Sequence, residues 1–378
     1  MNKKTVSFII AFLLLSSSFF FGAKADSLCR DITKECNITV NGDAASSKLF
    51  DGSYRTSTGK SGDILKIVSN EKIGFIYIKF ATVPSAYEVK TDGVSSLAGK
   101  LGFLHEVLVI NGNSVEITLP SSVCSVEVFT EGVLPDEVQR WEAPLDSGAD
   151  ILVFATHFDD DALFFGGLIA KYADEGKKIQ VLHMVNHNDT KDRPHEVLDG
   201  VWTMGVKYYP VASEFADKFC KNLAAAEKFY DEEAIMKYLV KHIRRFKPTV
   251  VIAHDLNGEY GHGAHCLNAL LATECAELSG TISYEPVTAA AYGIHTPQKI
   301  YLHLYEGEQG GVLLNTREKL SSGKTPFEIA DEAFNKHISQ RDYFTVSESG
   351  VYDIRKFGLY FSTVGNDSGK NDIFENIP

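Results

Sequence analysis

The segment ILVFATHFDDDALFFGGLIAKYADEG, Ile151 to Gly176, decides the reading of the chain. Its opening ILVFA is uniformly apolar, the texture of a strand buried on both faces rather than of one with a wet side. The run breaks at His157 and the consecutive aspartates Asp159, Asp160 and Asp161. It then resumes with helical spacing until Gly176 provides a stop. A buried strand thus feeds a helix through a turn loaded with imidazole and carboxylate groups.

The same alternation recurs downstream. KIQVLHMVN (Lys178 to Asn186) reads as a second buried strand, HEVLDGVWTMG (His195 to Gly205) as a helix, and TVVIAH (Thr249 to His254) as a third strand. DEEAIMKYLVKHIRRF (Asp231 to Phe246) is a helix with Ala234, Ile235, Tyr238, Leu239 and Ile243 on one face and Pro248 past its end, and a further helix is expected from about Cys266 to Leu278. Strand and helix in alternation predict an α/β fold, a mostly parallel sheet with helices on both faces, whose ligands bind beyond the carboxyl ends of the strands.

Two clusters sit at such ends. The first strand runs into His157 and the three aspartates; the third runs into AHDLNGEYGHGAHC, which carries His254, Asp255, Tyr260, His262 and His265. They converge if their strands are neighbours. Helix capping accounts for one aspartate at a helix start, but three in a row cost energy unless a cation relieves them, so a divalent metal site is the economical explanation.

From Asp26 to about Leu134 the texture is different: short alternating runs such as FIYIKFATV (Phe75 to Val83), EVLVI (Glu106 to Ile110), SVEITL (Ser114 to Leu119) and SVEVFTEGV (Ser125 to Val133). This predicts an all-β sandwich over 26–134, with a hairpin turn at Asn111-Gly112. The polar, proline-bearing stretch 135–149 is the expected linker, and 150–378 the α/β domain. Residues 1–25 have the pattern of an export signal: Lys3 and Lys4, an apolar run from Val6 to Gly22, and Ala23-Lys24-Ala25 as a cleavage site after Ala25. That implies a secreted or periplasmic protein with no stable membrane span after cleavage, in which the six cysteines are free to form disulfides. A composition with 44% hydrophobic and 23% charged residues excludes global disorder, and the net charge of -13 argues against a nucleic-acid partner.

THFDDDALFFGG resembles the AHPDDE-x-x-x-GG signature of the PIG-L/LmbE-like zinc de-N-acetylases, and GEYGHGAH resembles the second motif of that family. With R-x-x-E at Arg193 to Glu196 and H-x-S-Q at His337 to Gln340, the resemblance covers about Ile151 to Phe344. It implies an LmbE-like domain with a Rossmann-like sheet. It also implies Zn2+, or another divalent ion, held by His157, Asp160 and His265, with Asp159 as general base. His262 would stabilise the oxyanion or protonate the leaving amine, Tyr260 adding a donor. Arg193 corresponds to a position that contacts sugar hydroxyls or a phosphate; its alternative is a surface pair with Glu196. Phe158, Asp161 and Ala264 depart from the usual proline, glutamate and aspartate, and Asp255 is a candidate to orient a histidine in place of the last.

The activity implied is removal of acetyl from an N-acetylated amino sugar, in an N-acetylglucosamine-type glycan, glycolipid or glycoside. SSKLFDGSYRTS (Ser46 to Ser57) resembles a discoidin-type, galactose-binding-like sandwich, which implies either a carbohydrate-binding module with Asp51, Tyr54 and Arg55 as contacts or a packing domain. Two other functions stay open: a glycan-binding protein with a catalytically degenerate domain, and an amidase acting on a different N-acyl substrate.

Overall fold

Residues 27–307 and 309–378 are described by the computed structural model; the export segment expected over 1–25 lies outside them. The N-terminal strands are β1 (Asn37–Val40), β2 (Asp43–Ala44), β3 (Ile64–Phe80), β4 (Tyr87–Thr91), β5 (Val94–Ala98), β6 (His105–Thr118) and β7 (Val123–Phe129). They form one antiparallel hydrogen-bonded set in the order β2-β1-β3-β6-β4-β5, with β7 joined to β3. Alternate residues of the two long strands point into one core: Leu65, Ile67, Ile76, Ile78 and Phe80 from β3, with Leu108, Ile110, Val115 and Ile117 from β6.

The hairpin expected at Asn111-Gly112 does not form. β6 runs through it, because β3 is longer still and its pairing register slips between Val68 and Phe75, opposite that point. Gly112 is needed there for clearance: a Cβ would lie 2.3 Å from Oδ2 of Asp92, whose carboxylate accepts from the backbone N–H groups of Asn113 and Ser114.

The second sheet comprises β8 (Ile151–Ala155), β9 (Ile179–His183), β10 (Val211–Ala212), β11 (Val250–Ala253), β12 (Lys299–His303), β13 (Gly311–Leu313) and β14 (Lys356–Ser362), in the order β10-β9-β8-β11-β12-β14-β13. The strands from β10 to β12 are parallel; β14 and β13 run antiparallel at one edge. The helices between them are α1 (Asp160–Leu163), α2 (Gly166–Asp174), α3 (Arg193–Thr203), α4 (Leu223–Phe229), α5 (Glu232–Phe246), α6 (Gly258–Gly261), α7 (Gly263–Ser279), α8 (Pro286–Tyr292) and α9 (Pro326–Phe334). Ile151, Val153 and Ala155 pack with Leu168 and Ile169 of α2 on one face. Leu152 and Phe154 pack with Leu239, Ile243, Leu267 and Leu271 of α5 and α7 on the other. Continuous apolar strands are the consequence of two covered faces.

β8 and β11 are direct neighbours, so the two His/Asp clusters leave the sheet side by side. The N-terminal unit docks on α3: Tyr54 stacks on His195 with ring centroids 4.3 Å apart, its hydroxyl donates to Asp199 (2.6 Å), and Arg55 pairs with Asp192. No helix among the described residues is long and apolar enough to cross a membrane. All six cysteines are free thiols.

Candidate active site

The turn after β8 curls so tightly that the Asp160 carboxylate accepts from the backbone N–H of His157 (2.6 Å) and brings its Oδ2 within 2.9 Å of Nδ1 of the same histidine. His265, in the first turn of α7, enters from the β11 side with Nε2 3.1 Å from His157 Nδ1 and 3.3 Å from Asp160 Oδ2. These three donor atoms form a nearly equilateral triangle. Ligand bonds of ~2.1 Å in a tetrahedral zinc centre place neighbouring donors roughly 3.4 Å apart, so the triangle has the size and chemistry of one face of such a centre.

The outward nitrogens of both rings are engaged by carboxylates. His265 Nδ1 faces Oε2 of Glu259 at 2.8 Å, and His157 Nε2 faces Oδ1 of Asp217 at 3.3 Å. Each carboxylate holds the N–H on the far side of its ring and leaves the inner lone pair free for an ion. His254, whose Nε2 lies 3.4 Å from Asp160 Oδ2, is a poorer ligand. That nitrogen already accepts from the backbone N–H of Thr156 (3.1 Å), and its Nδ1 contacts Glu259.

Glu259 is the hub beneath the triangle. It contacts His254, His265 and His303 and accepts from the backbone N–H of Asp255. Burial alone would raise its proton affinity, but His254 and the hydrogen bonds from the three imidazoles hold it well below the usual carboxylate range. Its backbone sits at φ 52° and ψ -85°, an uncommon conformation for a residue with a side chain, and one that aims the carboxylate inward. Asp160 is likewise held low, burial opposing and His265, His157 and His254 prevailing.

Asp159 lies beside the triangle, and Arg193, the first residue of α3, donates to its Oδ1 at 2.5 Å. The alternative pairing of Arg193 with Glu196 does not occur; Glu196 instead accepts from the backbone and hydroxyl of Ser339, which gives the R-x-x-E and H-x-S-Q segments a shared structural purpose. His262 caps α7: its Nδ1 accepts from the backbone N–H of Ala264 (3.2 Å), leaving the proton on Nε2. Burial, then the neighbouring His157 and His265, push it down to about 3, so the ring is neutral at ordinary pH. Gly263 is required between these histidines, since a Cβ there would sit 2.0 Å from the Asn222 carbonyl oxygen.

Tyr260 stands half-exposed at the mouth, its ring 5.9 Å from that of His262, and burial keeps its hydroxyl protonated. Asp255 orients no histidine. Its carboxylate accepts from the backbone N–H of Asn257 (2.6 Å), and Glu259 has the orienting place instead. Asp161 is fully buried with Oδ1 3.3 Å from His183 Nε2 and Oδ2 unpartnered. Ala264, fully buried, belongs to the apolar core.

The sequence reading missed Glu259 and Asp217. Glu259 carried a faint signal inside GEYGHGAH, six residues before His265. Asp217 carried none.

Residues 152–276 match the family model described as PIG-L: GlcNAc-PI de-N-acetylase. The chain is similar to a 1D-myo-inositol 2-acetamido-2-deoxy-alpha-D-glucopyranoside deacetylase of Rhodococcus erythropolis, 27% identical over 36% of this chain and 56% of the relative. It is also similar to the protein of the same description in Streptomyces scabiei, 24% identical over 52% of this chain and 69% of the relative. The chain therefore spans between 56% and 69% of the length of these curated relatives. Among solved structures, N,N'-diacetylchitobiose deacetylase from Pyrococcus horikoshii aligns at 18% identity with a TM-score of 0.39, over 52% of this chain and 70% of that one. The matched span runs from β8 into α7 and contains His157, Asp159, Asp160, Arg193, His262 and His265; residues 152–276 are thus a PIG-L family domain.

Proposed function

We propose that this protein is a metal-dependent hydrolase that removes acetyl from N-acetylated amino sugars, and that it acts after export. The observation that carries the reading is the triangle of His157, Asp160 and His265, with Asp159 and His262 on its rim. The descriptions of the relatives, all deacetylases of an acetamido sugar, support the substrate class. Export is supported by the pattern of residues 1–25 alone.

When bound, a divalent ion supplies Lewis acidity, bringing water toward a pKa of ~7 and drawing charge onto a carbonyl oxygen. Arg193 fixes one oxygen of Asp159 and leaves the other to take the proton of the attacking water. The neutral His262, with its N–H on Nε2, donates to the oxygen that gains charge as water adds to the acetamide carbon. Tyr260 adds a hydroxyl donor at the mouth. The C–N bond breaks, the proton goes to the nitrogen, and acetate and a free amine leave.

The test is acetate release from N-acetylglucosamine, its β-linked dimer and an N-acetylglucosaminyl-inositol, with chelator and with zinc restored. Chelation should abolish release and zinc restore it, and Asp159→Asn should keep the ion while losing ~10²- to 10⁴-fold in turnover. Binding of the sugars without release by the zinc-loaded protein would favour a degenerate, glycan-binding domain. Release from other N-acyl compounds but not from sugars would move the activity to another amide.

A further inference from the structure

A cavity of about 260 Å³ opens beside the site, lined by Arg55, His187, Asp192, Arg193, Asp217 and Gln340 among others. It adjoins the reacting groups directly, since Arg193 donates to Asp159 and Asp217 contacts His157. Its wall is built from both halves of the chain: Arg55 lies between β2 and β3 of the N-terminal unit, and the other residues belong to the α/β domain.

The loop that carries Arg55 is held from several directions, and its side chain by one contact. Asp51 ties its own loop by accepting from the backbone N–H of Ser53 (2.9 Å) and the hydroxyl of Thr56. Tyr54 is clamped by His195 and Asp199. Asp192, immediately before α3, accepts from the Arg55 Nε at 2.5 Å. The two terminal guanidinium nitrogens of Arg55 make no hydrogen bond among the described residues, and its side chain is 72% exposed. Two further groups of the wall are buried without partners: Nε2 of His187, a residue only 2% exposed, and Nε of Arg193.

We propose that Arg55 is a specificity-determining residue supplied to the catalytic pocket by the N-terminal unit, and that it reads the hydroxyls of a second, uncharged polyol ring attached to the acetamido sugar. This rests on the deacetylase reading of the same site. A guanidinium fixed through Nε presents its remaining donors as a fork, which suits a pair of neighbouring hydroxyls. The lining carries three carboxylates, Asp189, Asp192 and Asp217, against two guanidiniums, which disfavours an anionic ring and provides acceptors beside the donors. The loop's own hydrogen bonds set its backbone, so binding need order little more than the Arg55 side chain.

Arg55→Ala should raise KM for the dimer of N-acetylglucosamine about tenfold more than KM for the monosaccharide, with the loss falling on KM rather than kcat. Arg55→Lys, which keeps the charge and loses the fork, should fall near the alanine variant. Equal shifts for the two substrates, or none, overturn the assignment, as does full rescue by lysine. Calorimetry of zinc-loaded Asp159→Asn protein with N-acetylglucosamine and its β-linked dimer, both uncharged, keeps the two readings apart. Absence of acetate release from every sugar by the unmutated protein defeats the deacetylase reading alone. Loss of the preference for the dimer in Arg55→Ala, read as binding, still upholds the role of Arg55, and an unchanged preference refutes it.

Discussion

Nε2 of His157 lies 3.3 Å from Oδ1 of Asp217, a residue 60 positions downstream in a loop that no sequence motif marks. The contact decides which nitrogen of His157 carries the proton and so which lone pair faces Asp160 and His265. The carboxylate is held down to about 2, burial opposing and His157 prevailing.

Asp217→Asn keeps the size of the side chain and loses its charge. Zinc affinity should drop by ~10- to 100-fold, the usual cost of losing a carboxylate behind a metal-bound histidine, while far-ultraviolet circular dichroism stays unchanged. Competition with a chromophoric chelator measures it. Undiminished affinity would show that Asp217 does not set the tautomer of His157.

Glu259→Gln tests the hub. A buried carboxylate that accepts from three imidazoles and a backbone N–H is replaced by an amide that cannot accept from them all, and breaking a buried network around a charge in this way costs about 3 to 5 kcal/mol. Urea unfolding of the metal-free protein is the measurement, because it separates the loss in the fold from any loss of ion. Wild-type stability in Glu259→Gln would mean that the network around Glu259 does not hold the fold together.

The docking of the N-terminal unit depends on pH through His105 and His195, whose ring nitrogens approach to 2.8 Å and leave room for one hydrogen between them. Around the pair stand Tyr54, Tyr77, Lys79, Gln139 and Asp199. Burial, then Lys79 for His105 and His105 itself for His195, hold both well below the ordinary 6.5. The unfolded chain takes up these protons at a higher pH than the folded protein does. The stabilisation is therefore complete above about 6.5 and is lost progressively as pH falls below it. The urea midpoint should fall between pH 7.5 and 5.5, and His105→Asn should flatten that slope. A slope unaltered in the variant would place the acid sensitivity elsewhere.

Much of the α/β half was legible because its signals are local. β8, β9 and β11 are short apolar runs closed by polar residues, and the helices α2, α5 and α7 have a recognisable stripe or stop, so the sequence predicted these elements and the end of the sheet that holds the site, whereas β10, β12, β13 and β14 were not read from it. The N-terminal half misled at Asn111-Gly112, where a turn signature lies inside an unbroken strand. The pairing partner, not the dipeptide, decided the conformation there. The sequence left Asp51, Tyr54 and Arg55 open as contacts of a carbohydrate-binding module or as part of a packing domain, and the structure turns Tyr54 and Arg55 toward α3.

Two clusters of His and Asp at strand ends were visible in the chain itself, since such crowding is costly without a cation; that His157, Asp160 and His265 would be the ligands was what the resemblance implied, and the pairing of β8 with β11 is what brings the clusters side by side. Which nitrogen of each ring faces inward, which carboxylate stands behind it, and which loop of the other half closes the pocket came only from the tertiary structure. Those features depend on contacts between Asp217 and His157, Glu259 and His265, and Arg55 and Asp192, the last of which forms only once the two halves have packed. Spacing along a chain encodes periodicity and turns; it does not encode which buried polar atoms will need one another when water is gone.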